Sequence, residues 1–224
     1  MNWPFGRTRS APRKAQPPRP AREIPRDDDR RGPAPPPPRT AHAPGLSVYP
    51  FDAIPSQHLL CLDGGCVGFF FEGEDVNRRS AALLVLSGSG AAPGDAFVWS
   101  PSLSLEEISR TSPKPHRHIR RDDLGGRAVP GITGLRTLAQ LPEAGLAVLR
   151  LGPPPTARWV FRGIRAMAVF SGRITLVDGE EAKLVPAGSL ALVGDPSATL
   201  YFEAGTDAAL AVALAASGFV AALG

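Results

Sequence analysis

The stretch "AMAVFSGRITLVDGEEAKLVPAG" (166–188) consists of short apolar runs separated by Ser-Gly and Asp-Gly. Asp-Gly between such runs is a strong signal for a β-hairpin, because glycine accepts the backbone angles of a tight turn. Similar runs recur along the chain, at 46–51, 59–71, 81–88, 96–101, 146–152, 158–163, 190–195, 198–205 and 209–216. Many short strands at this spacing predict a mainly β, antiparallel sandwich or barrel, with a jelly roll as one form.

Two segments carry helix signals. Ser104, with Glu107 three residues later, forms a capping-box pattern and predicts a short helix over 104–110. Thr133 is a candidate N-cap for a second helix over 133–141. Leucines recur at helical spacing in that segment, at Leu135, Leu138 and Leu141.

The final run, 208–224, is uncharged and rich in alanine. It is slightly shorter than the roughly 20 apolar residues that a helical membrane span needs. We therefore expect a buried strand followed by a short helix, and no membrane partner; a membrane tail anchor is the alternative.

Basic residues and proline are concentrated in residues 1–45. This segment holds ten Lys/Arg and four Asp/Glu, against 15 and 17 in the remainder, and 12 of the 25 prolines. Few large apolar residues are present there to offset the entropy of ordering. We predict a disordered tail over 1–45 and a single β-rich domain over 46–224. The domain is mildly acidic overall, which differs from the basic surface of typical nucleic-acid-binding domains.

Both cysteines lie in "LLCLDGGCVGFFF" (59–71). A two-residue turn at Asp63 and Gly64 would place Cys61 opposite Cys66, so a disulfide is geometrically conceivable. Residues 1–10 lack the apolar core of a signal peptide, so two reduced thiols are expected. Two cysteines are also too few for a structural zinc site.

The stretch with the densest group of ionisable side chains is "SPKPHRHIRRDDLGG" (112–126). In a strand His116 and His118 would share a face, because side chains alternate, and Asp122 follows four residues after the second histidine. This spacing resembles the first metal-binding motif of the cupins. However, the surrounding prolines suit an exposed loop, and the arginines repel a divalent ion.

The segment "GEEAKLVPAGSLA" (179–191) is similar to the second cupin motif, but Ala191 stands where that motif needs its last histidine. The resemblance thus implies jelly-roll geometry, and a cupin-like metal or small-molecule binding protein is the alternative function. A nucleophile elbow and a phosphate-binding loop are absent from the sequence. The mixed-charge run 71–79 is expected to be a solvated turn. No catalytic, cofactor-binding or metal-ligating residue is predicted, and no cofactor.

Ser112 and the cations after it suggest regulation. Proline-directed kinases read a Ser-Pro pair in an extended conformation, which Pro113 favours for Ser112. A phosphate there would add about −2 charge beside the basic cluster. Such clusters are also candidate nuclear localisation signals, and 9–22 is a second, looser one. The predicted signal residues are Lys114, Arg117, Arg120 and Arg121. Because aromatic residues for base stacking are missing, nucleic acid is not an expected partner.

Three longer stretches carry a family resemblance. "VYPFDAIPSQHLLCLDGGCVGFFFEGEDVNRR" (48–79), "AFVWSPSLSLEEISRTSPKPHRHIRRDDLGG" (96–126) and "GLRTLAQLPEAGLAVLRLG" (134–152) resemble the small nuclear phosphoprotein family of alphaherpesviruses, the product of the third gene of the unique long region. The resemblance covers about residues 46 to 205. It implies a non-enzymatic phosphoprotein of the host nucleus, with the cytoplasm as a second compartment. Its implied partners are kinases and other viral or host nuclear proteins.

Overall fold

A computed structural model describes residues 45–62, 64–72, 80–100, 103–123, 125–141, 145–152, 159–195, 199–204 and 209–223. Antiparallel strands dominate these residues, which confirms the mainly β prediction. The predicted disordered tail lies outside the described residues except for Gly45, and so does most of the run 71–79. All described residues belong to one compact unit, while the domain boundary near residue 46 stays a prediction.

The described residues form fifteen strands, one α-helix and two single-turn 3-10 helices. The strands are β1 (Leu46–Pro50), β2 (Leu59–Leu62), β3 (Cys66–Glu72), β4 (Ala81–Ser87), β5 (Ala96–Trp99), β6 (Arg117–Ile119), β7 (Arg127–Ala128), β8 (Leu135–Leu141), β9 (Leu146–Leu151), β10 (Trp159–Ser171), β11 (Arg173–Asp178), β12 (Glu181–Pro186), β13 (Ser189–Val193), β14 (Leu200–Ala204) and β15 (Leu210–Leu223). The helix α1 covers Leu105–Thr111, and the 3-10 turns cover Phe51–Ala53 and Ser56–His58.

The strands form two antiparallel sheets. The large sheet has ten strands in the order β12-β11-β14-β10-β15-β9-β8-β7, with β13 pairing both β10 and β1. The small sheet has five strands in the order β2-β3-β4-β5-β6. Consecutive strands of the small sheet are spatial neighbours, so this part of the chain is a simple meander.

The large sheet curls around a core of its own. One apolar cluster joins side chains from distant positions in the strand order, including Leu135 on β8, Trp159 and Phe161 on β10, Leu176 on β11 and Val185 on β12. These side chains are at most 1% exposed. Residues from near both ends of the strand order can meet only if the sheet bends round on itself, so this part is a jelly-roll-like barrel.

The small sheet packs on the outside of this barrel. Side chains alternate along each strand, so the central barrel strands are apolar on both faces. Ala168 and Val212 of the large sheet meet Leu84 and Val98 of the small sheet in a second buried cluster. A third cluster, which includes Ile108 of α1 and Leu83 and Trp99 of the small sheet, lies on the far side. The result is a layered arrangement of barrel, sheet and helix.

The structure confirms the first predicted helix and contradicts the second. In α1 the Ser104 side chain accepts from the Glu107 backbone N–H, and the Glu107 carboxylate accepts from the Ser104 backbone N–H, which is a complete capping box. The segment predicted as a helix over 133–141 instead contains β8. A register shift between Thr137 and Ala139 lies in the middle of that strand. This bulge interrupts the alternation of faces, so leucines three residues apart do not mark a helix here.

The cysteine hairpin has a longer turn than predicted. Leu62 lies opposite Cys66, and Cys61 lies opposite Val67, so the register differs by one residue from the expected pairing. A one-residue shift moves every side chain to the other face. Cys61 is exposed and Cys66 is buried, both as thiols. Burial, with the charges of Asp95 and Cys61, raises the pKa of the Cys66 thiol.

The predicted C-terminal short helix is wrong, because β15 continues as one strand from Leu210 to Leu223. Along its length it pairs with β10, from Ser171 opposite Leu210 to Trp159 opposite Leu223. Small alanine side chains suit a strand that is covered on both faces. No helix within the described ranges has the length and apolarity that a membrane crossing requires.

Candidate functional site

The basic segment, residues 112–123, lies at one edge of the small sheet. Its strand β6 pairs with β5, with Ala96 opposite Ile119 and Val98 opposite Arg117. In the described residues β6 has no second strand neighbour, so it is the edge of the sheet. Ile119 is 4% exposed and packs into the cluster between the two sheets. A single apolar side chain thus anchors a strand that is otherwise polar.

The cations of the basic segment are mostly open to solvent. Lys114, Arg117 and Arg120 are exposed, and so is His116, which lies just before β6. Charged side chains on a short edge strand discourage pairing with other strand edges. They also leave a dense positive surface on a domain whose overall balance is slightly acidic. The predicted nuclear-signal residues therefore include three accessible cations, of which Arg117 lies on β6 itself.

The basic segment is held by the buried carboxylate of Asp95, which precedes β5. Its Oδ2 lies 2.9 Å from His118 Nε2 and accepts from the Ala92 N–H at 3.2 Å. Its Oδ1 accepts from the Arg121 backbone N–H at 3.0 Å. Burial alone would raise the pKa of Asp95. The hydrogen bonds from Arg121, His118 and Ala92, together with the His118 charge, outweigh burial and lower it.

His118 also packs against an aromatic ring. Its imidazole centroid lies 4.7 Å from that of Phe97, its cross-strand partner, at an interplanar angle of 37°. About a third of the His118 side chain remains exposed. The ring is therefore positioned by Phe97 on one side and Asp95 at its Nε2 atom, which makes it a structural part of the sheet edge.

Arg121 differs from the other predicted signal residues because it is half-buried. Its Nη1 donates to the Pro93 carbonyl at 3.0 Å, and its Nε lies 3.4 Å from Asp122 Oδ2. The neighbouring Gly94 has a φ of +96°, and a Cβ there would lie 3.2 Å from Arg121. Glycine is thus needed both for the turn and for the close approach of the arginine. Arg121 supports the Asp95 loop, whereas the other three cations face solvent.

Ser112 is exposed, but its backbone is not extended as predicted. It is the C-cap of α1, with φ 42° and ψ 51°, and its N–H donates to the Ile108 carbonyl. This left-handed conformation ends the helix and satisfies one of its last carbonyls. The Trp99 Nε1–H donates to the Pro113 carbonyl at 2.9 Å and fixes the next residue. The expectation of an extended Ser-Pro pair is therefore wrong for the folded chain.

The two cupin-like motifs do not converge. His118 belongs to the small sheet, whereas Ala191 lies on β13 of the large sheet, opposite Met167 and Val48. Ala191 is fully buried in the apolar barrel cluster. In the part of the chain that the structure describes, no three His, Cys, Asp or Glu side chains are grouped for a metal ion.

Sequence reasoning missed Asp95, the residue that organises the site. Only one local signal marks it: a carboxylate placed directly between a Pro-Gly turn and the apolar strand β5. An aspartate at that position is equally typical of an exposed turn, so this signal does not indicate that the carboxylate is buried. Its partners in the basic segment, His118 and Arg121, lie 23 and 26 residues further along the chain, so no local pattern connects them to it.

No protein-family model matches this sequence, and no curated protein matches it. Among solved structures, the chain is similar to an HTH_3 family transcriptional regulator from Vibrio cholerae, with 13% identity, TM-score 0.34 and coverage of 41% of this chain and 56% of that one. It is similar to procruciferin, an 11S globulin from Brassica napus, with 14% identity, TM-score 0.37 and coverage of 47% and 31%. A cupin-like protein from Thermotoga maritima gives 18% identity, TM-score 0.34 and coverage of 46% and 88%.

The chain thus spans about half the length of the first of these proteins and about a third of the second.

Proposed function

We propose that this chain is a non-enzymatic nuclear phosphoprotein that acts by binding other proteins. The exposed cations of the basic segment form its nuclear address and its contact surface. One observation carries the proposal: Lys114, Arg117 and Arg120 are exposed around an edge strand that Ile119 and Asp95 hold in place. The resemblance of the sequence to the alphaherpesvirus nuclear phosphoproteins supplies the viral context and the host nucleus as the compartment.

The exposed cations of the basic segment can attract an acidic partner. Exposed cations form screened, reversible contacts with an acidic partner and steer its approach. Because the segment is held by the β5–β6 pairing at Arg117 and by hydrogen bonds at Pro113 and Arg121, less conformational entropy is lost on binding than from a disordered basic peptide. The same surface suits an acidic nuclear carrier or an acidic patch on another nuclear protein.

Phosphorylation at Ser112 would act on this surface. The serine is exposed and lies two residues before Lys114. A phosphate carries about −2 charge and three acceptor oxygens, so it would pair with nearby cations and weaken their attraction for an acidic partner. In this proposal kinase action at Ser112 reduces carrier or partner binding.

The test is the localisation of the chain fused to a fluorescent partner too large to diffuse through nuclear pores, since the chain alone is only 23.6 kDa. The variant combines Lys114→Ala, Arg117→Ala and Arg120→Ala and keeps Arg121, which supports the Asp95 loop. The control combines Arg127→Ala, Arg162→Ala and Arg173→Ala, which are also exposed. Each is made with and without residues 1–45, because 9–22 is a second basic run.

We expect the 114/117/120 variant without residues 1–45 to lose nuclear accumulation, and the control to keep it. Nuclear retention of that variant, or equal loss in the control, would contradict the proposal. Affinity capture of nuclear proteins by the two variants gives a second readout: partners bound through this surface should be lost with the first variant only.

A further inference from the structure

A cavity of about 320 Å³ lies away from the basic segment, beside the first residue of β2, where β3 extends beyond its pairing with β2. The last β2–β3 pair is Leu59 with Phe69, while β3 extends to Glu72 beside β4. The chain before β2 turns away through the 3-10 turn Ser56–His58, which leaves a recess beside the end of β3. This volume is within the range of pockets that hold small organic ligands.

The walls of the cavity are mainly apolar. Phe69, Phe70 and Phe71 come from β3, Leu105 from α1, and Leu192 from β13. The His58 ring lies 5.9 Å from that of Phe69, at 37° between their planes, so part of the wall is a pair of adjacent rings. A flat apolar group would bury well against such a surface.

One strong cation is built into this wall. Arg165 lies on β10, at the register shift between Ile164 and Ala166 of the β10–β15 ladder, and is half-buried. Burial lowers the pKa of its guanidinium, while the nearby Asp195 opposes that change. Arginine nevertheless remains charged at neutral pH. A charge held at the wall of an apolar recess is a feature of pockets that select a ligand by charge.

We propose that this cavity binds a carboxylate attached to an aromatic or other flat apolar group, with the carboxylate paired to Arg165 and the apolar group against Phe69, Phe71 and Leu192. A guanidinium has five N–H donors in a planar fork, and one carboxylate accepts from two, so Asp195 and a ligand can both be accommodated. This site is independent of the proposed function, because none of its lining residues belongs to the basic segment.

The carboxylate of Glu72 distinguishes an anionic from a cationic ligand in this cavity. This exposed carboxylate lies at the cavity and repels an anionic ligand, whereas it would attract a cationic one. Neutralising it should therefore strengthen carboxylate binding. The same change should weaken binding if the cavity selects cations. The direction of this effect separates the two kinds of ligand without any assumption about the pose.

The test is calorimetric titration of the full chain with three probes that share one ring system: 2-naphthoate, the neutral 2-naphthamide and the cationic 2-naphthylmethylammonium. We expect 2-naphthoate to bind about tenfold more tightly than the amide, as for a hydrogen bond to a charged group, and the cation to bind weakest. N-acetylphenylalanine carries the same carboxylate as the end of a peptide chain. Tighter binding of this probe than of 2-naphthoate would identify a protein C-terminus as the source of the carboxylate.

Variants locate the site. Arg165→Gln should abolish the preference for naphthoate over the amide, and Glu72→Gln should strengthen naphthoate binding. Leu105→Trp, at a half-buried position of α1, should fill the recess and block all probes, and its circular dichroism should match that of the unmodified chain. Arg173→Gln, an exposed change on β11, is the control and should bind as the unmodified chain.

The proposal is overturned if the naphthoate and the amide bind equally, if neither binds, or if Leu105→Trp leaves binding unchanged. Weaker naphthoate binding by Glu72→Gln would also overturn it. Loss of binding by Arg165→Gln counts only if its circular dichroism matches that of the unmodified chain; otherwise Leu105→Trp and Glu72→Gln decide. None of these outcomes depends on nuclear localisation, so the two proposals fail separately.

Discussion

Asp95 is a buried carboxylate that accepts hydrogen bonds from three donors, and its contribution to the free energy of unfolding depends on these three bonds. Two backbone N–H groups and the His118 ring point at it. Removal of a buried acceptor leaves donors unsatisfied, which costs about 1–3 kcal/mol and more for charged partners. Three of the four cations that the sequence places around His118 are exposed, but the sequence does not predict the carboxylate that holds this segment. Burial of Asp95 depends on contacts between strands, which residue spacing does not encode.

We expect Asp95→Asn to destabilise the fold by about 1–3 kcal/mol at pH 7. The folded-state pKa of Asp95 is lowered, so its contribution is present above about pH 4, the ordinary value for aspartate, and is lost as pH falls through the lower folded value. Urea unfolding at pH 7 and in stepwise more acid buffers measures this. The difference between the two proteins should shrink at low pH. Asp52→Asn, at an exposed position, is the control. A difference that does not change with pH would exclude the ionised carboxylate as its cause.

Local sequence signals predict some secondary structure elements correctly and others wrongly, and the reason differs between elements. The capping box of α1 is a local motif, so Ser104 and Glu107 were sufficient to place the helix. The leucines of β8 gave a helical spacing because a bulge interrupts the strand at Leu138. The hairpin at Cys61 was correct in type, but the turn has three residues, so its register moved by one. Bulges and turn lengths are fixed by pairing with distant strands, and this information is not local.

The capping box should contribute measurably to stability. We expect Ser104→Ala to destabilise the protein by about 1 kcal/mol, because the Glu107 N–H loses its acceptor at the start of α1. Urea unfolding followed by tryptophan fluorescence measures the loss, since Trp99 packs in the same cluster as Ile108 of the helix. Ser109→Ala lies on the exposed side of α1 and should change stability much less. Equal effects of the two changes would mean that the cap is not what stabilises the helix.

The molecule as a whole is organised around a barrel filled by its own side chains. The largest of them, including Trp159, Phe161 and Leu149, are completely buried. Ala191 lies in the same cluster, opposite Met167. The sequence predicted this antiparallel architecture from the spacing of its short apolar runs. It did not predict that a second sheet and a helix would be layered on the barrel. That layering depends on which barrel strands have apolar side chains on both of their faces.

The packing of this core can be tested directly. We expect Leu149→Ala to cost about 2–5 kcal/mol, because it removes methyl groups from a close-packed interior. Leu184→Ala, at a side chain that is 54% exposed on β12, should change stability by less than about 0.5 kcal/mol. Thermal and urea unfolding of both variants give the comparison. Similar small effects would show that the barrel interior is loosely packed.

Metal dependence gives a separate test of the cupin-like alternative. The barrel cluster is apolar, and the two cupin-like motifs lie on different sheets. We therefore expect exhaustive dialysis against EDTA to leave the Tm within about 1 °C and the elemental analysis to show no stoichiometric metal. Metal that co-purifies at one equivalent, and is lost when His116 and His118 are both changed to Ala, would favour the alternative function.

The left-handed backbone at Ser112 has a consequence for the timing of modification. A kinase that requires an extended Ser-Pro pair meets that geometry in the newly made chain, but not at the end of α1 in the folded protein. In the folded protein the last helical turn and the Trp99–Pro113 hydrogen bond must open first, so the rate scales with the small population of the opened form. Folding and phosphorylation would then compete, and the phosphorylated fraction of the protein would increase with the time that the chains spend unfolded.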